Sequence, residues 1–366
     1  MKNLIIIGAG PRGLAMALQA LKYKDKFNIS IVDPNPMSTW KFPYMLPDME
    51  MRSPITFDLV TFQRDMKQYS LAKFLKEEVV AESQKEVEDN TLFCRRKEFV
   101  NYLKYIIVLL KQGGVSFVPR KTLGISDTFI TTDKGNLYYD YLVVAMGKST
   151  QETKCPSYLR NKKLLSTSCL FNCGWSEKIV NVVGSGQQAA EVVDYLCGQR
   201  AEVNWLQKHT PKVHQYPVPS FKDWGITSAL GPYYSKARIN KADYIRRVKQ
   251  WGPSITPYIN NRLETRNYKI TKDITNTNSI NMEGQFFLAT GFNQEVKLLN
   301  TTFDIKKNRN NTNLPDIVNS FQSSSHPNIY FTGGLATHFD GPRQGSIISS
   351  GLTAHTILLS ILKNNG

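Results

Sequence analysis

Residues 4–21 read LIIIGAGPRGLAMALQAL, and this stretch decides the fold. Leu4–Ile7 is a short apolar run bounded by glycine, the pattern of a fully buried strand. Gly8, Gly10 and Gly13 follow with the spacing G-x-G-x-x-G, with Pro11 inside the loop. Leu14, Leu18 and Leu21 then recur at helical intervals. A second strand, NISIVD, ends at Asp33, twenty residues beyond Gly13. Alone, three glycines would be weak; strand, loop, helix, strand and terminal acid together form a dinucleotide-binding unit. The glycines allow a tight turn and close backbone approach to a pyrophosphate, which sits on the helix N-terminus. Asp33 is placed to accept hydrogen bonds from the adenosine ribose hydroxyls. A glycine-rich turn without a ligand is the bland alternative, and it leaves the flanking helix and acid unexplained.

The motif occurs twice. Residues 179–183 read as a strand, GSGQQA supplies Gly184, Gly186, Gln187 and Ala189, and AAEVVDYL reads as the helix. The next strand, EVNWLQ, ends at Gln207, where the first copy has its acid, and Lys208 and His209 follow. An acid there would repel a 2′-phosphate, so a neutral residue followed by Lys favours NADP over NAD. A lysine on the surface is the plainer reading of Lys208. Two more apolar strands, YLVVAMG ending at Gly147 and FFLATG carrying Thr290, each follow one nucleotide unit. They would lead the chain from one domain to the other, and their small residues let the backbone pack near a cofactor.

Two dinucleotide folds, the second inside the first, resemble the layout of two-domain flavoprotein oxidoreductases, and the fold class this implies is α/β, with two Rossmann-like dinucleotide-binding domains and an NADPH domain inserted into an FAD domain. The expected boundaries are 1–170 and 286–366 for the FAD domain and 171–285 for the NAD(P)H domain.

Composition narrows the partners. The chain has 366 residues, 41% of them hydrophobic, and a formal net charge of +16. Its Lys and Arg residues are scattered instead of gathered in one tract, so the charge reads as a solvated surface and cofactor phosphates, not as a nucleic-acid footprint. No apolar run approaches the roughly 20 residues of a membrane span. The strand at the start is too short for the apolar region of a signal peptide. These features lead to the expectation of a cytoplasmic protein without nucleic-acid or membrane partners. The five cysteines include no CxxC pair, which suits a reducing compartment, buried thiols and no metal site. The sequence is silent on oligomeric state and leaves room for a homo-oligomer.

One segment fits none of this. WKFPYMLPDMEMRSPITFDLV, residues 40–60, is too broken for a helix and too long for a turn, and it is too apolar for disorder. It resembles the segment after the FAD motif in the lysine and ornithine N-monooxygenases. The resemblance rests on Trp40, Met45, Leu46, Pro47, Asp48, Met51, Pro54, Asp58, Leu59, Val60 and Thr61. CRRKEFVNYLKY, VVGSGQQAAEV, ATGF and THFDGPRQGSIISSGLTA resemble further segments of that family, from Gly8 to Ala354. The family's Gln after Met is Arg52 here, and the Ser-Pro-Phe-x-Asn-Glu run of its members has no counterpart in residues 209–236. The resemblance thus covers fold and cofactors and leaves the amine open.

What the resemblance implies is an FAD- and NADPH-dependent monooxygenase. It would hydroxylate a primary amine of an amino acid or diamine with O2, through a flavin C4a-hydroperoxide. Trp40 and Met51 would border the flavin ring; packing in a small core is their plainer reading. Arg52 would face the flavin or bind a substrate carboxylate. Gly341 and Pro342 precede a helix beginning near Gln344, whose N-terminus would face the flavin where negative charge develops. The candidate catalytic residues are Arg52, His338 and Gln344. A reductase or oxidase serving a partner protein or small molecule is the main rival, and a binding module that kept the fold is another. The intact glycines of both loops argue against the latter.

Overall fold

The computed structural model describes residues 1–36, 46–51, 53, 55, 57–61, 63–78, 93–147, 159, 164–166, 170, 178–213, 254–272, 283–290, 300–301, 307–308, 311–336 and 347–364. The chain divides into two compact units. Unit 1 comprises Met1–Lys41, Glu50–Ser149 and Gln294–Gly366; unit 2 comprises Phe42–Met49 and Thr150–Asn293.

Unit 1 opens with β1 (Lys2–Ile7), α1 (Pro11–Leu21) and β2 (Phe27–Val32). Then come α2 (Leu71–Glu78), α3 (Arg96–Gln112), β3 (Ser116–Val118), β4 (Thr122–Ile125), β5 (Phe129–Thr132), β6 (Gly135–Tyr138) and β7 (Tyr141–Val144). Unit 2 holds β8 (Leu164–Ser166), β9 (Ile179–Val183), α4 (Gln187–Gly198), β10 (Glu202–Gln207) and the short pair β11 (Lys212–Val213) and β12 (Ser254–Ile255). It continues with α5 (Pro257–Glu264), β13 (Tyr268–Lys272) and β14 (Gln285–Leu288). Back in unit 1 are β15 (Asn300–Thr301), the ribbon β16 (Lys307–Asn308) and β17 (Asn311–Pro315), β18 (Ile329–Phe331) and the last helix α6 (Ser350–Asn364).

Each unit is built on one five-stranded sheet, ordered β18-β7-β1-β2-β3 in unit 1 and β13-β10-β9-β14-β8 in unit 2. Every pairing in both sheets is parallel. Parallel sheets are covered on both faces, so their central strands are apolar throughout instead of alternating. Leu4 to Ile7 and Leu142 to Val144 are all buried for this reason. A smaller sheet in unit 1, ordered β15-β4-β5-β6, adds an antiparallel meander.

The helices form where the pattern places an apolar face. Phe99, Tyr102, Leu103, Ile106, Ile107 and Leu110 are the buried residues of α3, at i, i+3, i+4 spacing. Each such side chain contributes on the order of 2 kcal/mol through removal from water. Glu98, in the first turn of α3, accepts a hydrogen bond from the Arg95 amide at 2.6 Å and satisfies a donor the helix leaves open. α1 packs against α3 and α6. No described helix is long and apolar enough to cross a membrane.

Candidate cofactor sites

The first glycine loop joins β1 to α1, at the carboxyl end of the unit 1 sheet. Gly8 has φ +105°, and a Cβ there would stand 2.8 Å from the Ala145 carbonyl oxygen. A Cβ on Gly13 would stand 1.8 Å from the Gly8 carbonyl oxygen, so only a bare backbone lets helix and loop close together. Gly10 differs: among the described residues nothing lies within 4 Å of its Cβ position, and the same holds for Gly147 beyond β7. The loop is therefore sealed against the protein at Gly8 and Gly13 and open at Gly10. α1 starts at Pro11, where a missing N–H costs nothing, and its first turn contains no acid. The positive end of the helix dipole is thus left for an anion. Asp33 follows β2; its Oδ2 accepts from the Ala9 amide at 3.0 Å and its Oδ1 from the Asn35 amide at 2.8 Å. A carboxylate offers about four lone-pair sites, so room remains for ribose hydroxyls. This combination fits a dinucleotide pyrophosphate and its ribose.

Unit 2 repeats the arrangement between β9 and α4. Gly184 has φ +146°, and its Cβ would stand 2.3 Å from the Ala289 carbonyl oxygen, while no described residue lies within 4 Å of the Cβ position of Gly186. The first turn of α4 also lacks an acid. The side chain of Gln187 is used internally: its Nε2 donates to Glu191 Oε1 at 2.9 Å, and its Oε1 accepts from the Thr256 amide at 2.8 Å. Its place at the helix N-terminus and the second lone pair of its Oε1 remain for a ligand. Gln207 is buried, and its Oε1 has no hydrogen-bond partner among the described residues. Lys208 is exposed. The backbone amides of Lys208 and His209 both donate to Ser185 Oγ, at 3.1 and 3.2 Å. Thr290, after β14, is exposed and lies next to the Ala289 that closes on Gly184.

The segment that stood out in the sequence is anchored in both units. Leu46 and Met49 belong to the unit 2 core, and Met51, Leu59 and Val60 to the unit 1 core. The Met51 amide donates to the Cys94 carbonyl at 2.8 Å. Asp58, only 3% exposed, makes a clamp. Its Oδ1 accepts from the Val60 amide and its Oδ2 from the Leu71 amide, both at 2.8 Å, so it turns the chain and starts α2 together. Burial pushes its carboxyl up to about 6, against the lowering effect of these donors. The turn lies under α6: a Cβ on Gly351 would stand 2.8 Å from the Leu59 carbonyl oxygen. Arg12, in the first glycine loop, also reaches this region through a 2.7 Å bond from Nη2 to Ser349 Oγ.

Sequence reasoning found the glycines and Asp33 but missed the roles of Arg12, Ser185 and Asp58. Only the Asp58-x-x-Thr61 spacing carried a signal, that of a side chain turning on its own backbone. Trp40, Arg52, His338, Gly341, Pro342 and Gln344 lie outside the described residues. Cys94 is buried, and burial pushes its thiol up to about 12, the property of an inert packing residue; Cys197 is half-buried. Among the described residues no three His, Cys, Asp or Glu side chains gather in a way that would hold a metal.

Two parallel-sheet units, each with a sterically closed glycine loop ahead of a helix lacking first-turn acids, define a protein with twin dinucleotide-binding units. The family model for L-lysine 6-monooxygenase/L-ornithine 5-monooxygenase matches residues 1–223, and the chain belongs to that family. No curated protein sequence matches it. Solved structures share its fold over the whole length. The ornithine N-hydroxylase of Kutzneria sp. 744, in complex with reduced FAD, NADP+ and L-ornithine, is 16% identical, with a TM-score of 0.79 and 100% of both chains covered. Ornithine hydroxylase from Pseudomonas aeruginosa is 15% identical, with a TM-score of 0.76 and 100% of both chains covered. The FAD-bound cadaverine monooxygenase of the desferrioxamine pathway of Erwinia amylovora is 17% identical, with a TM-score of 0.74, covering 99% of this chain and 95% of that one.

Proposed function

We propose that the chain is an FAD- and NADPH-dependent monooxygenase that N-hydroxylates a primary amine of an amino acid or diamine. The observation that carries this reading is the pair of glycine loops, each closed by a strand-end carbonyl and open at its middle glycine, in a chain of this family. FAD is assigned to unit 1 and NADPH to unit 2. When bound, FAD supplies the activation of O2 and NADPH the reducing electrons; neither has a counterpart among side chains.

The residues divide the remaining work. Gly8, Gly10, Pro11 and Gly13 present the α1 N-terminus to the FAD pyrophosphate, and Asp33 takes the ribose. Gly147 leaves space beside the cofactor at the end of β7. Gly184, Gly186 and Gln187 do the same for the NADPH pyrophosphate through backbone at the α4 N-terminus, and Thr290 borders that loop. Lys208 pairs with the 2′-phosphate. Met51 and Trp40 wall the flavin ring and exclude water. Arg52 holds a substrate carboxylate, for which its planar fork is suited. His338 and Gln344 are assigned to the reacting end on the family resemblance, with Gly341 and Pro342 in the same segment; the last helix itself begins later than the sequence pattern suggested, at Ser350. The amine must lose its proton before it reacts, and a dry site lowers its pKa. A cytoplasmic setting belongs to this reading as well.

The test is NADPH oxidation by the purified, FAD-loaded protein against a panel of amino acids and diamines, with hydroxylamine quantified. One amine that raises both signals together is the expected result. Rapid bleaching of the flavin by NADPH with no hydroxylamine from any amine would replace the reading with that of a reductase or oxidase.

A further inference from the structure

The two glycine loops are fastened to their sheets in opposite ways. In unit 1 the side chain at the strand end accepts from the loop: Ala9 N donates to Asp33 Oδ2 at 3.0 Å. In unit 2 the loop's side chain accepts from the strand end: Lys208 N and His209 N donate to Ser185 Oγ. Ser185 occupies the place of Ala9 in the motif, and Gln207 that of Asp33. The reversal has an electrostatic result. A carboxylate is no longer needed to hold the loop, and Gln207, 1% exposed, brings no charge.

It also orients a proton. A hydroxyl has two acceptor lone pairs and one donor. The two amides occupy both lone pairs of Ser185, and its O–H has no acceptor among the described residues. The side chain is half-buried at the edge of the loop, and Lys208 follows directly from one of the bonds it accepts. On the reading that unit 2 takes NADPH, we infer that Ser185 is a specificity-determining residue whose hydroxyl donates to the 2′-phosphate, the group that separates NADPH from NADH. Its oxygen holds the backbone of Lys208 and His209 in place for the same phosphate.

The test is calorimetric titration of the FAD-loaded protein with 2′,5′-ADP and with ADP, which carries both phosphates at the 5′ position. Ser185→Ala is expected to raise the Kd of 2′,5′-ADP about tenfold, the loss of one hydrogen bond to a charged group, and to change that of ADP by less than about twofold. Ser185→Thr, which keeps the hydroxyl, is expected to retain the wild-type ratio. Equal weakening of both ligands in Ser185→Ala would make the residue a pyrophosphate or loop-shaping group and overturn the inference, as would no change in either. A wild-type protein that binds both equally removes the NADPH assignment and the inference with it. Intact discrimination without hydroxylamine formation would instead remove only the amine chemistry.

Discussion

Gly13 sits so close to Gly8 that a Cβ on it would stand 1.8 Å from the Gly8 carbonyl oxygen, whereas the Cβ position of Gly10 has no atom of the described residues within 4 Å. Two glycines of one motif therefore answer to different constraints, the first to the fold and the second to the ligand. Gly13→Ala is expected to destabilise the protein by about 3 kcal/mol, the upper end for overpacking, since a backbone carbonyl cannot yield to it cheaply. Gly10, with φ −74°, accepts a side chain without backbone strain. Gly10→Val, at the N-cap of α1, is expected to stay within about 1 kcal/mol of the wild-type apoprotein and yet to purify without flavin. Flavin-to-protein ratio and thermal melting of the two variants, measured side by side, check both halves. Full flavin occupancy in Gly10→Val would disprove the assignment of this loop.

Asp58 predicts a dependence of stability on pH. Burial raises its carboxyl from the usual 3.8 to about 6, so the folded state holds a proton that the unfolded chain has released between those values. Its contribution is fully present below about pH 4 and is lost as pH rises through about 6. The stability of wild type minus that of Asp58→Asn, a neutral mimic, should fall by about 2 kcal/mol between those pH values and then level off. A flat difference in chemical denaturation would show that the amides of Val60 and Leu71 offset burial, and a difference that rises with pH that they outweigh it.

Asp194 on α4 is fully buried, and its two oxygens are taken by Arg262 at 2.7 Å and Arg266 at 2.8 Å, whose side chains are 39% and 30% exposed. The asymmetry of burial sets the order of effects. Removing both arginines strands a carboxylate in the core and should cost about 3–5 kcal/mol. Asp194→Ala leaves two guanidinium groups that water can reach, and should cost about 1–3 kcal/mol. Urea denaturation of the single and double variants gives the order, and the reverse order would mean that these arginines carry packing more than charge.

Lys208 is expected to act on one cofactor and not the other. Lys208→Ala should raise the apparent Kd for NADPH about tenfold in flavin-reduction kinetics and leave NADH nearly unchanged. Its exposure keeps the fold out of the comparison. Equal loss for both cofactors would remove its 2′-phosphate role.

The sequence by itself determined the twin nucleotide units. Apolar runs, glycine spacing and helical periodicity are local signals, and β9 and β10 run over the residues the pattern marks, Ile179–Val183 and Glu202–Gln207. Local signals do not show which atoms meet across the chain. Gly8 and Gly184 carry the same letter pattern as Gly10 and Gly186, yet only the tertiary structure separates those pressed against Ala145 and Ala289 from those facing open space. Asp58 read as part of a family motif, and only the fold made it a buried clamp on Leu71 thirteen residues away. Gln187 read as a cofactor ligand, and packing turned its side chain to Thr256, sixty-nine residues on. The reason is physical: strand and helix formation follow the order of neighbours along the chain, but a hydrogen bond or steric contact depends on distance in space, which is settled only when the sheets close.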